Sequence, residues 1–204
     1  MKFILASGSP RRREILSELG YEFDVKTADF DESTVSLDDP VRGVQALALG
    51  KAMAAAEAAP VTEPALFLGS DTVVVLNDVV MGKPKDEADA ADMLRALSGR
   101  THVVCTGVAL VEKDPAGNCT AREVFAEQTE VHFFALSEAD IAAYIATGEP
   151  MDKAGAYGIQ GLGRVLVEGI SGDYETVVGL PAARVYRALK RCGVVPAGGS
   201  HHNM

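Results

Sequence analysis

Short apolar runs alternate with amphipathic segments along most of the 204-residue chain. Apolar or β-branched runs predict strands at residues 3–6, 23–26, 65–76, 79–81, 102–111, 123–134, 165–167 and 175–178. Segments with apolar residues every three or four positions predict helices that open near Ser9, Asp39, Asp86, Ser137 and Pro181. Strands and helices in alternation favour an α/β fold. The turn-forming run Asp114–Asn118 joins two strands as a hairpin, so the sheet should be mixed.

An ionisable side chain stands in the middle of the apolar run 65–76. Gly69, Ser70, Asp71 and Thr72 interrupt this run, for which we expect a pair of strands or one long strand. Burying a carboxylate is costly unless it has a partner or a function. Asp71 is therefore a candidate for holding a metal ion or orienting a water molecule. The alternative is an Asx-turn at a bulge.

Three arginines follow a turn of small residues between the first strand and the first helix. Residues 6–13 read ASGSPRRR, which places Arg11 and Arg12 at a helix N-terminus. Free N–H groups, the positive end of the helix dipole and forked guanidinium donors suit a phosphate. Cations in a first turn also oppose the dipole and one another, which favours an anionic ligand. The alternative is that the arginines pair with Glu14 and Glu18.

Acidic residues and isolated lysines supply further candidates. Asp31 and Glu32 fall in a predicted loop, and Mg²⁺ and Mn²⁺ prefer carboxylate oxygens; a loop that is merely solvated is the alternative. Lys51, Lys83 and Lys153 are isolated and would add positive charge against a triphosphate. Together these residues predict an anion or nucleotide site with carboxylates nearby, and phosphoryl or nucleotidyl chemistry.

The charge and hydropathy of the chain limit the classes of partner that it can bind. The chain has 19 basic and 29 acidic residues and a formal charge of −10, which argues against binding duplex nucleic acid but not against one small anion. No apolar run approaches the roughly 18 residues that cross a bilayer, so we expect no membrane partner. Cys105, Cys119 and Cys192 are odd in number and far apart, which predicts reduced, mostly buried thiols and a cytosolic location. Residues 196–204, with two histidines, are typical of a flexible tail.

Several of these stretches resemble the Maf family of nucleoside triphosphate pyrophosphatases. The matching pieces keep their order as far as about Pro181. They read ASGSPRR (6–12), DE (31–32), GSDTV (69–73), GKP (82–84), MLRALSG (93–99) with His102 and TG (106–107), GEPMDKAGAYGIQGLG (148–163) and VVGLP (177–181). Many separated motifs agree, so the resemblance is specific and spans nearly the whole chain.

The resemblance implies an elongated mixed β-sheet flanked by helices, similar to inosine triphosphatases, in one domain over residues 1–195 with two lobes around a central cleft. It implies hydrolysis of a nucleoside triphosphate to the monophosphate and pyrophosphate with a divalent cation, Mg²⁺ or Mn²⁺. Asp71 would be catalytic and, with Glu32, would bind the metal. The implied substrate-binding residues are Ser7, Ser9, Arg11, Arg12, Lys51, Thr72, Lys83 and Gln160. The resemblance also suggests a homodimer.

Three positions indicate a subgroup within the family. Arg11 directly follows a proline, Thr72 directly follows Asp71, and Gln160 lies in the run YGIQG; this combination resembles the members that hydrolyse dTTP and UTP. Relatives that act on 7-methyl-GTP typically have an extra residue before the arginines, Gln after the aspartate and Glu in place of Gln160. The alternatives are such a 7-methyl-GTP enzyme, a nucleotide-binding regulatory module without turnover, and a structural protein.

One position departs from the family pattern. Gly50 precedes Lys51 where the family usually has an acidic or larger residue. Because glycine lowers helix propensity, this departure bears on the local geometry of the helix that carries Lys51.

Overall fold

A computed structural model describes residues 1–197 of the chain. Within them the α-helices are Pro10–Glu18 (α1), Pro40–Ala58 (α2), Glu87–Leu97 (α3), Glu138–Ile145 (α4), Tyr174–Val178 (α5) and Ala182–Arg191 (α6). The strands are Lys2–Leu5 (β1), Asp24–Val25 (β2), Ala65–Leu76 (β3), Val79–Met81 (β4), Thr101–Lys113 (β5), Cys119–Phe133 (β6) and Val167–Ser171 (β7). Short 3₁₀-helices occupy Glu32–Thr34, Glu149–Asp152, Ala154–Ala156 and Gly161–Leu166.

The strands of the described chain pair in the order β2-β1-β3-β5-β6-β7, and β4 also pairs with β3. Strand β1 is parallel to both of its neighbours. Strand β4 is antiparallel to β3, and β7 is antiparallel to β6. The prediction of an α/β fold with a mixed sheet is confirmed.

Residue contacts divide the chain into two units. The first comprises Met1–Asp71, Thr106–Ala126 and the described residues from Gly179 to Ala197, and the second comprises Thr72–Cys105 and Glu127–Val178. In the first unit the alanine face of α2 packs on buried strand residues, among them Ile4, Phe67 and Ala109. In the second unit α3 and α4 pack on another apolar cluster, which includes Leu94, Leu97, Phe133 and Ile141. Each unit therefore has an apolar core of its own.

Three of the predicted helix starts are fixed by capping side chains. Asp39 accepts a hydrogen bond from the N–H of the third residue of α2, and Asp86 does the same for α3. Ser137 and Asp140 form a reciprocal capping box at α4. These caps act within one turn of the chain, which is why the local sequence predicts them.

Residues 65–76 form the one long strand that was one of the two alternatives, and β3 continues through Gly69 and Asp71 without the expected interruption. Two predicted strands are wrong. Residues 165 and 166 end the 3₁₀-helix Gly161–Leu166, and β7 begins only at Val167. Residues 175–178 belong to helix α5 rather than to a strand. The cause is Asp173, whose Oδ2 accepts hydrogen bonds from Thr176 N and Thr176 Oγ1, both at 2.7 Å, and caps this turn.

The remaining expectations concern the cysteines, membrane-spanning helices and the C-terminal tail. All three cysteines are free; Cys105 is buried, whereas Cys119 and Cys192 are only half-buried. No helix in residues 1–197 is long and apolar enough to cross a membrane. Near the start of the predicted tail, Ala197 N donates to Gly20 O at 2.8 Å. The rest of that tail, with His201 and His202, lies outside the described residues.

Candidate active site

A lysine ammonium in the first unit contacts two carboxylates. Lys51 Nζ lies 2.6 Å from Asp71 Oδ1 and 3.0 Å from Glu32 Oε1. The side chains of Asp71 and Lys51 are 15% and 21% exposed, whereas that of Glu32 is 57% exposed. Solvent and salt screen a partly buried pair less than a surface pair. The structure thus brings together three predicted site residues that are far apart in the sequence.

Close packing of α2 on β3 brings Lys51 to Asp71. A Cβ at Gly69, on β3, would lie 2.2 Å from Ala48 O on α2. A Cβ at Gly107, on β5, would lie 2.1 Å from the carbonyl oxygen of Val44. Only glycine allows the helix backbone to approach the strands this closely. Gly69 therefore does not break β3 but gives α2 its place beside Asp71.

The adjacent acidic residues Asp31 and Glu32 have different structural roles. Asp31 is the N-cap of the 3₁₀-helix Glu32–Thr34, and its Oδ1 accepts from Ser33 Oγ at 2.6 Å and from Ser33 N at 3.1 Å. The hydroxyl and then the N–H of Ser33 hold the pKa of Asp31 below its usual value. Asp31 fixes the loop, and Glu32 contacts Lys51.

The ring of Phe30 packs over Gly50. A Cβ at Gly50 would lie 2.2 Å from the Cζ atom of this ring, so the ring occupies the space that a side chain would take. Phe30 precedes Glu32 by two residues, and Gly50 directly precedes Lys51. The contact therefore holds the acidic loop against α2 where the Glu32–Lys51 ion pair forms. It also explains why glycine stands at the position that departs from the family pattern.

Arg12 connects the N-terminus of α1 to a later part of the first unit. Its Nε donates to Gly179 O at 2.8 Å, and its Nη1 donates to Ser7 Oγ at 3.0 Å. Ser70 Oγ, which is fully buried, donates to the same carbonyl oxygen at 3.3 Å. Part of the role of Arg12 is thus structural. The local sequence could not predict this, because Gly179 is remote along the chain.

Arg12 also belongs to the electrostatic group around Asp71. Burial lowers its pKa to about 10, and the charge of Arg11 acts in the same direction. The negative charges of Asp71 and Glu32 oppose this shift. An added anion near these guanidinium groups would favour their charged form.

Ser9 is the N-cap of α1, as predicted, but its side chain makes no capping hydrogen bond. Its backbone N–H donates to Ser7 Oγ at 3.3 Å. The first-turn N–H groups of α1 therefore lack the side-chain cap that α2, α3 and α4 have. Such N–H groups at a helix N-terminus are donors that suit an anion.

Three predicted substrate-binding residues belong to the second unit. Thr72 is half-buried on β3, and Lys83 is exposed after β4. Gln160 is half-buried and is the N-cap of the 3₁₀-helix Gly161–Leu166. The roles of these three residues stay predictions.

The sequence did not single out the buried pair of His102 and Tyr157. His102 Nε2 lies 2.7 Å from Tyr157 Oη, and both residues are at most 5% exposed. In the described chain His102 Nδ1 is buried without a hydrogen-bond partner. Burial lowers the pKa of His102 to about 4, and the nearby charge of His132 adds to this. His102 is therefore neutral in the folded protein at neutral pH.

The His102 pKa predicts a pH dependence of stability. The unfolded chain binds a proton at His102 as the pH falls through about 6.5, but the folded chain does so only near about 4. Stability therefore falls across this window, and we expect His102 to account for about 2 kcal/mol of loss between pH 7 and pH 5. Urea unfolding of the wild type and His102→Gln at both pH values checks this. An equal loss in both proteins would contradict the assignment.

Comparisons with known proteins agree with the family that the motifs resemble. The family model described as Maf-like protein matches residues 2–192. A dTTP/UTP pyrophosphatase of Bacillus cytotoxicus is 48% identical over 200 residues, which cover 98% of this chain and 98% of the relative. A dTTP/UTP pyrophosphatase of Bacillus cereus is 46% identical over 193 residues, which cover 95% and 91%. A solved nucleoside-triphosphatase / dITP/XTP pyrophosphatase of Mycobacterium abscessus is 17% identical, with 96% of this chain and 98% of that chain covered and a TM-score of 0.45. The family model and the two curated relatives each match nearly the whole of this chain, which therefore belongs to the Maf family.

Proposed function

We propose that the chain hydrolyses nucleoside triphosphates, dTTP and UTP in preference, to the monophosphate and pyrophosphate. The observation that carries the proposal is the group of Lys51, Glu32 and Asp71, with Arg12 in the same electrostatic field. The group combines carboxylates that can orient water with positive charge that can stabilise phosphates. The names of the two Bacillus relatives support the choice of substrates.

Asp71 is the residue to which we assign the orientation and deprotonation of the attacking water. Its carboxylate accepts a hydrogen bond from the water, aims it at the α-phosphorus and takes its proton. The new P–O bond forms as the bond from the α-phosphorus to the bridging oxygen breaks, and pyrophosphate leaves with that electron pair. The hydrogen bond from Lys51 Nζ to Oδ1 holds the carboxylate in position during this step.

Glu32 and Asp71 have donor atoms that fit a divalent cation, Mg²⁺ or Mn²⁺. Lys51 contacts one oxygen of each carboxylate, and Glu32 and Asp71 are the residues that would hold the cation. Proteins usually hold Mg²⁺ through one or two carboxylates together with substrate phosphates. Among residues 1–197, no group of three or more His, Cys, Asp or Glu is placed to hold a metal ion. When bound, the cation supplies positive charge against the phosphates and lowers the pKa of water.

Cationic side chains and hydroxyl groups bind the phosphates in this proposal. Arg12 is already fixed by Ser7 and Gly179, so little reorganisation is needed when negative charge develops in the transition state. The assigned residues are Ser7, Ser9, Arg11, Arg12, Lys51 and Lys83.

We assign recognition of the nucleobase to Gln160, together with Thr72. A glutamine amide presents a carbonyl acceptor and an NH₂ donor at one end, which match the N3–H and O4 of thymine or uracil. An amide rotated by half a turn would suit cytosine equally. Selectivity therefore depends on how the protein holds this side chain.

The test is pyrophosphate release from dTTP, UTP, CTP, GTP and 7-methyl-GTP, with and without Mg²⁺ or Mn²⁺. We expect the highest kcat/KM for dTTP and UTP and turnover that requires the cation. Binding without pyrophosphate release would contradict an enzyme and favour a regulatory module. Preference for 7-methyl-GTP would contradict the subgroup. A homodimer and a cytosolic location stay predictions.

Gly50→Ala should lower turnover through the position of Glu32. Alanine favours a helix by about 1 kcal/mol over glycine, but its methyl group requires the Phe30 ring to move. We expect a folded protein with kcat for dTTP about 10-fold lower, because small displacements in a site are costly.

The matched control is the double variant Gly50→Ala with Phe30→Leu, in which the smaller side chain makes room for the methyl group. We expect this variant to recover most of the lost kcat. Wild-type kcat in Gly50→Ala alone would show that the contact does not position Glu32.

A further inference from the structure

Tyr144, which is buried, and Glu149, which is half-buried, form a hydrogen-bond network with the backbone on both sides of Gln160. Tyr144 is 5% exposed, and its hydroxyl donates to Glu149 Oε1 at 3.2 Å. The same hydroxyl oxygen accepts from Gly158 N at 3.1 Å. The phenol therefore links α4 and the carboxylate to the backbone two residues before Gln160.

Glu149 holds the backbone on the other side of Gln160. Its Oε2 accepts from Leu162 N at 3.0 Å, and its Oε1 accepts from Gly163 N at 3.2 Å. Burial alone would raise the pKa of Glu149. The hydrogen bonds from the two N–H groups and the Tyr144 hydroxyl lower it by more, so the pKa lies below its usual value. The carboxylate is thus charged when it makes these bonds.

Tight packing fixes the path of the chain between these bonds. Gly161 has φ +64°, and a Cβ there would lie 2.8 Å from both carboxylate oxygens of Glu149. A Cβ at Gly163 would lie 2.2 Å from Gly158 O and 2.7 Å from Tyr144 Oη. Both positions need glycine, because the chain folds closely around the Tyr144–Glu149 pair.

Lys153 completes this arrangement. Its ammonium donates to Glu149 O at 2.6 Å and to Asp152 Oδ1 at 2.7 Å. Both bonds lie within this segment, and the phosphate-binding role expected for Lys153 stays a prediction.

We infer that Tyr144 and Glu149 are positioning residues for base selection: they fix the backbone at Gly158 and at Leu162–Gly163 and so set where the Gln160 amide lies. The inference rests on the proposed function, in which Gln160 contacts the base. In the described chain Gln160 makes no side-chain hydrogen bond of its own at the 3₁₀-helix that it caps. The backbone at Gln160 therefore sets the point from which its side chain extends.

The test uses Tyr144→Phe and Glu149→Gln. Phenylalanine removes one hydroxyl, and glutamine keeps the shape of the carboxylate but has a single acceptor oxygen. The matched control is Glu138→Gln at the start of α4, where Glu138 pairs with Arg95 on the surface and has no contact with this network.

Two readouts separate positioning from simple destabilisation. Amide hydrogen exchange should become about 3- to 10-fold faster at Gly158 in Tyr144→Phe, which loses the acceptor of that N–H, and at Leu162 or Gly163 in Glu149→Gln, which loses one of their two acceptor oxygens. The ratio of kcat/KM for dTTP to that for GTP should fall about 10-fold. Both quantities should stay at wild-type values in Glu138→Gln.

The outcomes distinguish this inference from the proposed function. A wild type that does not discriminate dTTP from GTP would overturn both. If the wild type is selective and Gln160→Ala loses the selectivity, but Tyr144→Phe and Glu149→Gln keep it, the positioning role is wrong and the proposed function stands. Should Glu149→Gln fail to fold, Tyr144→Phe decides alone.

Discussion

Asp71→Asn is expected to lower kcat for dTTP by at least about 100-fold, the low end for loss of a general base. Asparagine keeps the size of the side chain and can still accept the hydrogen bond from Lys51 Nζ, now 2.6 Å from Oδ1. It cannot take a proton from water at neutral pH. Lys51 also retains its second partner, Glu32, at 3.0 Å. We therefore expect the fold to persist while turnover is lost.

Steady-state kinetics with dTTP, together with a thermal unfolding curve, measure both expectations. The matched control is Asp24→Asn, since Asp24 also pairs with a lysine of the first unit, Lys2, at 2.7 Å, but half-exposed at the surface. This control should keep wild-type kcat. Near-normal turnover in Asp71→Asn would remove Asp71 from the mechanism.

Gln160→Glu is expected to lower kcat/KM for dTTP and UTP by about 10- to 100-fold. The new carboxylate still accepts from N3–H, but it presents an acceptor to O4 where the amide presented a donor. Losing one polar pair and adding a repulsion costs about 1–3 kcal/mol. The same carboxylate can accept from the N1–H and the N2 amino group of guanine. The ratio of 7-methyl-GTP to dTTP hydrolysis should therefore rise.

The measurement is kcat/KM for dTTP, UTP, CTP and 7-methyl-GTP on the wild type and the variant. Gln128→Glu is the control, because Gln128 is an exposed glutamine on β6 of the same unit. Should Gln160→Glu leave the four ratios unchanged, Gln160 does not read the base, and the subgroup assignment loses its main physical support.

The parts of the fold that the sequence predicts well depend on neighbouring residues. The capped starts of α2, α3 and α4 and the hairpin turn at Asp114–Asn118 follow from side chains within a few positions. The predictions fail where another contact outweighs the intrinsic secondary-structure preference of the residues. Thr176 and the two valines after it favour a strand, but the cap from Asp173 makes a helical turn.

The candidate site is less accessible to local patterns. The local sequence identifies Asp71 as a candidate, because it is a carboxylate in an apolar run. The neighbouring sequence does not indicate that Lys51 and Glu32 are its partners. They meet because Gly69 lets α2 lie close to β3, and because Phe30 packs on Gly50. The resemblance to the family, by contrast, places these residues in one site. The bond from Arg12 to Gly179 and the Tyr144–Glu149 network are tertiary contacts that neither local pattern nor resemblance predicts.

The central claim, attack of water on the α-phosphorus, is tested most directly by hydrolysis of dTTP in ¹⁸O-labelled water with product analysis. The account predicts equal amounts of dTMP and pyrophosphate, with one labelled oxygen in dTMP and none in pyrophosphate. Release of dTDP and inorganic phosphate, or label in pyrophosphate, would contradict it.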